Sequence, residues 1–312
     1  MRILFSMIAS GAALMAAPAA AQTTVIHAGS VIADADSDPT GPATITVSDG
    51  RIVSIAEGHQ TPAGDARVIE LADKTVLPGL IDLHVHLTGD PGGDYRQGTV
   101  DTEEYSTVVG AKNARITALA GFTTVREAGS GESTAFALRR GTAEGLIPGP
   151  RIVAAGPPLS IVGGHGDITG FRPEILDLFA NPFTCTGAVE CAEKVRRAAQ
   201  RGSDVIKITA TGGVLSQQGR GLGAHFTDAE MTSIADTAHS LGLKVMAHAH
   251  GARGIEAASR AGIDTIEHST FVDEAAARAM RENGTVLIPT LMAFKGVTER
   301  LGQGIYTPVV EA

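Results

Sequence analysis

From residue 77 to residue 289 the sequence alternates short apolar runs with longer helix-like stretches. Helices are expected near Glu103–Ala120, Ser133–Glu144, Glu190–Gln200, Asp228–Leu241, Ala252–Ala261 and Glu274–Glu282. Alternation of this kind predicts parallel strands joined by right-handed helical crossovers.

Seven apolar runs are the predicted strands of this α/β part. One carries His84, and the others are Phe122–Arg126, Arg151–Ala155, Val205–Thr209, Val245–His248, Thr265–His268 and Val286–Pro289. The nearest closed arrangement is a TIM-type (β/α)8 barrel, incomplete with about seven strands, whose functional site would lie at the C-terminal strand ends. An open doubly wound sheet is the alternative, and polar residues at so many strand ends disfavour it.

The segment before the barrel reads as a small antiparallel β unit over residues 22–76, with the barrel over 77–312. Its short apolar runs alternate with turns, and Asp49-Gly50 between two of them is a strong hairpin signal. The first residues, 1–21, have the features of a signal peptide: a charge at Arg2, a short apolar run and a small-residue cleavage site before Gln22. We therefore expect an exported protein, periplasmic or secreted, without a lipid anchor.

The amino-acid composition restricts the kinds of partner that the protein can bind. The net charge is −9 and the chain has neither tryptophan nor a basic cluster, which argues against nucleic acid. No later stretch has the length of a transmembrane helix. Cys185 and Cys191 lie close together, and the sequence leaves open whether they form a disulfide or remain free thiols. The oligomeric state is open as well, and a homo-oligomer is compatible with the sequence.

The stretch from Leu77 to His86 contains the first candidate metal ligands. After the Pro78-Gly79 turn, Asp82, His84 and His86 fall on one face of a predicted strand because alternate residues point the same way. Two imidazoles at this spacing, about 7 Å apart at Cβ, can converge on one metal ion. A histidine packed in the core is the alternative for either residue.

Lys207 lies inside the apolar strand Val205–Thr209. A buried lysine is costly unless it is paired or modified. A lysine carbamylated by CO₂ would offer an anionic oxygen to each of two metal ions, whereas an ion pair in the barrel mouth is the alternative.

Three more histidines end neighbouring strands. His248 and His250 share a face of one strand, and His268 ends the next. Imidazole together with oxygen donors suits zinc, with manganese, cobalt or nickel as alternatives.

Together these motifs resemble the amidohydrolase superfamily, and more closely its binuclear-metal dipeptidase, carboxypeptidase and ochratoxin-amidohydrolase branch. The motifs are Pro-Gly-Leu-Ile-Asp-Leu-His-Val-His, the strand-borne Lys207, His-Ala-His-Gly and Ile-Glu-His. The resemblance covers nearly everything from Thr23 onward. It also implies that the small β unit is half of a composite sandwich.

The resemblance implies two divalent metal ions, zinc by preference, and a role for each candidate residue. It implies metal ligands at His84, His86, carbamylated Lys207, His248 and His268. Order and spacing favour His248 over His250 as the ligand, which leaves His250 on the substrate side. His165, in a glycine-rich loop after the third strand, is the other candidate catalytic residue, with a solvated loop histidine as the alternative.

The implied reaction is hydrolysis of an amide bond in dipeptides or N-acyl amino acids by a metal-bridging hydroxide. Hydrolysis of a cyclic amide, as in imidazolonepropionase-like relatives, or of an ester is the alternative. The family pattern also requires an aspartate at the end of an eighth strand, and neither is found before Ala312. We therefore expect a C-terminally truncated form of a longer enzyme, for which an inactive product is a further alternative.

Overall fold

The computed structural model describes residues 23–91, 100–216, 221–306 and 311. The predicted signal peptide, residues 1–21, lies outside these ranges. The chain divides into two compact units at the Pro78–Gly79 bond. None of the helices in the described ranges is long and apolar enough to cross a membrane.

From residue 23 onward, the N-terminal unit forms one four-stranded sheet. Its strands are β1 (Thr24–Val31), β2 (Ala43–Ser48), β3 (Arg51–Glu57) and β4 (Arg67–Val76), in the spatial order β3-β2-β1-β4. The predicted hairpin is confirmed: Asp49 and Gly50 connect β2 to β3, and both have positive φ, 50° and 72°. Such a turn requires two left-handed residues, which Asp-Gly provides at low cost.

The prediction that this unit is antiparallel throughout is wrong for β4. Strands β1, β2 and β3 pair antiparallel, but β4 pairs with β1 in parallel. The long connection after β3 allows this, because it carries the chain past β2 and β1 to the far edge of the sheet. The other half of the predicted sandwich stays a prediction.

The described residues of the second unit form seven strands, and hydrogen-bonded neighbours run parallel. The strands are β5 (Leu80–Val85), β6 (Phe122–Glu127), β7 (Arg151–Ala154), β8 (Val205–Thr209), β9 (Lys244–Gly251), β10 (Thr265–Phe271) and β11 (Val286–Ile288). They form one sheet of order β5-β6-β7 and another of order β8-β9-β10-β11. The predicted parallel α/β architecture is confirmed, and closure into a barrel stays a prediction.

Backbone hydrogen bonds join the region of β7 to β8. The Asp204 amide donates to the Ala154 carbonyl at 2.8 Å, and the Leu159 amide donates to the Lys207 carbonyl at 2.8 Å. The Thr209 amide in turn donates to the Leu159 carbonyl at 3.0 Å. The chain after β7 thus runs beside β8 up to its C-terminal end.

Eight helices complete the described part of the second unit. They are α1 (Glu103–Leu119), α2 (Thr134–Ala143), α3 (Pro173–Phe179), α4 (Ala188–Arg201), α5 (Asp228–Ser240), α6 (Ala252–Arg260), α7 (Glu274–Asn283) and α8 (Leu291–Arg300). The six predicted helices are confirmed to within a few residues. Sequence reasoning missed α3 and α8, and neither of these helices buries a residue.

The main core lies where α4, α5 and α6 pack on the sheet of β8, β9 and β10. Its members include Val195, Ile206, Ile234, Val245 and Ile255, all fully buried. Cys185 and Cys191 belong to the same core and form a disulfide, which decides between the two alternatives left by the sequence.

Glu230 holds the starts of two helices in this core. Its Oε2 accepts from the Thr227 amide at 2.8 Å, within a capping box at the start of α5, and its Oε1 accepts from the Gly187 amide at the start of α4. Although burial alone raises the pKa of Glu230, the donors from Thr227 and Gly187 hold it below its ordinary value.

Replacing this carboxylate should lower the stability of the fold. We expect Glu230→Gln to reduce the free energy of unfolding by about 1–3 kcal/mol at pH 7, because it leaves buried amide donors poorly satisfied. Since the folded pKa lies below the unfolded one, the wild-type advantage is complete above about pH 5 and is lost as pH falls through the folded pKa. Urea unfolding at pH 7 and at low pH measures both effects.

The matched control is Glu193→Gln on the neighbouring helix α4. Glu193 forms an exposed pair with Arg197, and its side chain is 54% exposed. We expect a change within about 0.5 kcal/mol there. Equal unfolding curves for the two variants would contradict the role given to Glu230.

Candidate metal centre

Basic side chains converge at the C-terminal ends of the parallel strands. They come from β5 and the residue after it, from the loop after β7, from β8, from β9 and from β10; they are His84, His86, His165, Lys207, His248, His250 and His268. The imidazole rings make a continuous series. Ring centroids lie 5.3 Å apart for His84 and His86, 4.9 Å for His84 and His268, 4.7 Å for His248 and His268, and 4.1 Å for His165 and His248.

The two β5-end histidines each have one ring nitrogen engaged. His84 Nδ1 lies 2.8 Å from Glu267 Oε2, and His86 Nδ1 donates to the Gly129 carbonyl oxygen at 2.9 Å. The Nε2 atom of each ring therefore remains available as a lone-pair donor. This is the arrangement in which a metal-binding histidine is oriented by a partner on its other nitrogen.

Threonine hydroxyls orient two of the histidines from β9 and β10. His250 Nδ1 lies 2.8 Å from Thr270 Oγ1, and His268 Nδ1 lies 2.6 Å from Thr290 Oγ1. His248 instead uses Nε2, which is 3.2 Å from the Gly212 carbonyl oxygen, so its Nδ1 remains.

One ring nitrogen of each of His248, His250 and His268 lies within 4.8 Å of those of the other two. Tetrahedral zinc with Zn–N bonds of about 2.0–2.1 Å needs donor separations of about 3.4 Å. Small ring movements would therefore bring these nitrogens onto one ion, and the donor set fits a metal such as zinc. Because the ring nitrogen of His250 meets the same distance limit as those of His248 and His268, the preference for His248 over His250 as the ligand stays a prediction.

The backbone departs from strand geometry where His268 joins the site. His268 and Ser269 have positive φ, 74° and 50°. In a regular strand Glu267 and His268 would point to opposite faces. Here both reach His84, one through its carboxylate and the other through its ring.

Burial keeps the imidazoles neutral. It lowers the pKa of His165 to about 3 and holds those of His84, His248, His250 and His268 below the ordinary value, with the Lys207 charge adding to the effect. The side chain of His86 is more exposed, at 55%, and desolvation with the Lys207 charge lowers its pKa as well. A neutral imidazole is the form that binds metal.

Lys207 is only 4% exposed, in the middle of β8. Burial lowers its pKa to about 8, while Glu267 and Glu127 act in the opposite direction. Within the described part of the chain, no carboxylate lies within ion-pair distance of its Nζ, which disfavours the ion-pair alternative. A lysine with a lowered pKa has a larger neutral fraction, and the neutral amine is the form that reacts with CO₂.

Two buried acids, Glu267 and Glu127, lie next to the histidines. Arg126 pairs with Glu267, with Nη2 at 2.9 Å from Oε1. Glu127 is fully buried, accepts from the Gly129 amide at 3.1 Å, and has its pKa raised to about 8 by burial. Sequence reasoning overlooked Glu267, whose only signal was its position before His268.

His165 lies at the edge of the histidine group. Its Nδ1 is 2.8 Å from Ser216 Oγ, and its ring fills the space over Gly213, where a Cβ would come within 2.2 Å of the ring. Ser216 also accepts from the Gly213 amide at 3.2 Å. The segment from Gly213 to Ser216 thus fixes the ring of His165 beside His248.

The hydroxyl of Thr290 should matter for metal binding, because it orients the His268 ring. We expect Thr290→Val to weaken zinc binding about 10–100-fold, whereas Thr290→Ser, which keeps the hydroxyl, stays within about threefold of wild type. Competition with a chromogenic chelator measures the affinity. Equal affinities for the valine and serine variants would contradict this role.

Comparison with known proteins places the chain. The family model described as "Amidohydrolase family" matches residues 75–304. Ochratoxinase from Aspergillus niger is 30% identical over 303 residues, which cover 91% of this chain and 62% of ochratoxinase. The chain thus spans less than two thirds of that relative.

Solved structures agree with this. A crystal structure of a Xaa-Pro dipeptidase with bound methionine in the active site superposes with a TM-score of 0.86 at 34% identity, over 93% of this chain and 72% of that one. A prolidase complexed with N-methylphosphonate-L-proline gives a TM-score of 0.83 at 29% identity, over 93% and 71%. The predicted resemblance is confirmed: the chain belongs to the amidohydrolase family and is similar to its dipeptidase and ochratoxinase members.

Proposed function

We propose that this protein is a metal-dependent hydrolase of amide bonds in small substrates. The observation that carries the proposal is the convergence of six imidazoles and Lys207 at the C-terminal ends of parallel strands. Dipeptides and N-acyl amino acids with a free C-terminal carboxylate are the proposed substrates. The similarity to an ochratoxinase, a Xaa-Pro dipeptidase and a prolidase supports this class.

The proposal takes the two parallel sheets as parts of one TIM-type barrel. Two observations support it: the chain after β7 is hydrogen-bonded along β8, and Glu267 of β10 contacts His84 of β5. In such a barrel the C-terminal strand ends surround one pocket.

Two divalent metal ions, zinc by preference, would be held by residues already oriented for them. His84 and His86 would hold one ion, His248 and His268 the other, and carbamylated Lys207 would join the two. Bound metals of this kind polarise a carbonyl group and lower the pKa of a water molecule from 15.7 toward about 7.

The chain itself contributes orientation and hydrogen bonding. With Nδ1 accepting the Ser216 hydroxyl proton, His165 carries its own proton on Nε2 and can donate it to a substrate carbonyl oxygen. Such a donor stabilises the negative charge that develops there during attack. His250 is the second candidate for this role, since Thr270 fixes its ring in the same manner.

Export from the cytoplasm is part of the proposal. The disulfide between Cys185 and Cys191 supports it, because disulfides persist mainly in oxidising compartments. The predicted signal peptide remains the reason for it.

Metal content and turnover test the proposal together. We expect about two zinc equivalents per chain after loading in bicarbonate buffer, and hydrolysis of N-acyl amino acids or dipeptides. Lys207→Ala should lose at least one equivalent and reduce kcat/KM at least about 10³-fold, because metals contribute several kcal/mol to such transition states. Elemental analysis and an amine-release assay measure the two quantities. Less than one equivalent, or full loading without amide cleavage, would contradict the proposal.

The role of His165 has a separate test. We expect His165→Ala to reduce kcat about 10²–10³-fold, the usual cost of losing one oxyanion donor, with metal content unchanged. His165→Gln retains an N–H donor and should lose less. Steady-state kinetics of the zinc-loaded variants measure kcat. A drop in zinc content for both variants would contradict this role and make His165 part of the metal site.

A further inference from the structure

A buried carboxylate connects the histidine group to an arginine on a neighbouring strand. Glu267 is fully buried; its Oε2 lies 2.8 Å from His84 Nδ1, and its Oε1 accepts from Arg126 Nη2 at 2.9 Å and from Thr265 Oγ1 at 2.7 Å. Both oxygens of Glu267 are therefore engaged, and one of them is aimed at a single nitrogen of His84.

Arg126 is fixed as firmly as the carboxylate it holds. Its Nε donates to the Leu83 carbonyl oxygen at 2.7 Å, and its Nη1 donates to Thr265 Oγ1 at 3.2 Å. The planar guanidinium thus spans from the backbone beside His84 to the side chain of Glu267. The three residues lie on β5, β6 and β10, so the network joins the two parallel sheets next to the site.

A buried ion pair such as that of Arg126 and Glu267 contributes little to the free energy of unfolding. Removing two charges from water costs several kcal/mol per ion, and replacement by apolar residues is often neutral or favourable. Its value here lies in what the carboxylate does to His84. A carboxylate that accepts from Nδ1–H fixes the tautomer and the ring orientation, and leaves the Nε2 lone pair free.

We propose that Glu267, held by Arg126, is the positioning residue that fixes the His84 tautomer and so sets the zinc affinity of the ion shared by His84 and His86. This inference rests on the metal-dependent function proposed above. It assigns a role to two residues that contact neither metal nor substrate. Of the histidines in the group, only His84 takes a charged partner within hydrogen-bonding distance in the described ranges.

A matched pair of double variants tests it. Arg126→Met with Glu267→Met removes both charges and the acceptor, whereas Arg126→Met with Glu267→Gln removes the charges and keeps a carbonyl acceptor for Nδ1–H. Zinc equivalents and affinities come from competition with a chromogenic chelator. The His84 tautomer comes from ring ¹⁵N chemical shifts of the zinc-free, histidine-labelled protein, assigned with a His84 variant.

For the double-methionine variant we expect one of the two zinc equivalents to bind about 10–100-fold more weakly, with the other within about twofold of wild type. In the zinc-free double-methionine variant, His84 should shift from the Nδ1–H tautomer to a mixture of the Nδ1–H and Nε2–H tautomers. The double variant that carries Glu267→Gln should recover part of the Nδ1–H population of His84 and part of the zinc affinity. Urea midpoints of the two variants are measured alongside, so that a loss of zinc affinity can be compared with any loss of stability.

Glu230→Gln is the control for a merely structural effect, because Glu230 is a buried carboxylate that holds helix starts. It should lower the urea midpoint and leave both zinc affinities unchanged. Wild-type zinc affinity in the double-methionine variant, or equal weakening of both equivalents in proportion to lost stability, would overturn the inference. The proposed function fails on a different result, namely absence of zinc from the wild-type protein, and the tautomer measurement still decides the role of Glu267 in that case.

Discussion

The site depends on one constraint: each imidazole gathered at the strand ends must find a hydrogen-bond partner for one of its ring nitrogens. An unpaired polar group in the protein interior is costly. The six histidines of the site meet that constraint in different ways, with a carboxylate for His84, a backbone carbonyl for His86 and His248, and hydroxyls for His165, His250 and His268. Each partner engages one ring nitrogen and leaves the other for chemistry, so the interactions that satisfy the fold also prepare the site.

Local departures from regular structure are concentrated at the same place. Positive φ values for His268, Ser269 and Thr290 are uncommon for residues other than glycine and carry a conformational cost. They lie on both sides of the hydrogen bond between His268 and Thr290. The surrounding parallel sheets hold these residues in place, and the gain is that Glu267 and His268, adjacent in sequence, both reach His84.

Much of this could be predicted from the sequence because it depends on local periodicity. The six predicted helices and the seven strands follow from apolar spacing, and the Asp49-Gly50 hairpin follows from turn chemistry. The failures have physical reasons. Helices α3 and α8 bury no residue, so no packing on the core accounts for them, and the parallel pairing of β4 follows from the path of a long connection.

The sequence by itself determined that histidines lie toward the ends of parallel strands and that a lysine lies inside one, since strand alternation and the spacing of His84, His86, Lys207 and His248 are local properties. Only the tertiary structure decided which partner each of them has. Glu267 is 183 residues from His84, and Arg126 is 141 residues from Glu267. Hydrogen bonds over such separations depend on how strands align and where the backbone leaves strand geometry, and no local pattern encodes either. The disulfide between Cys185 and Cys191 was likewise decided by the fold, because bonding requires the approach and orientation of two side chains rather than their spacing alone.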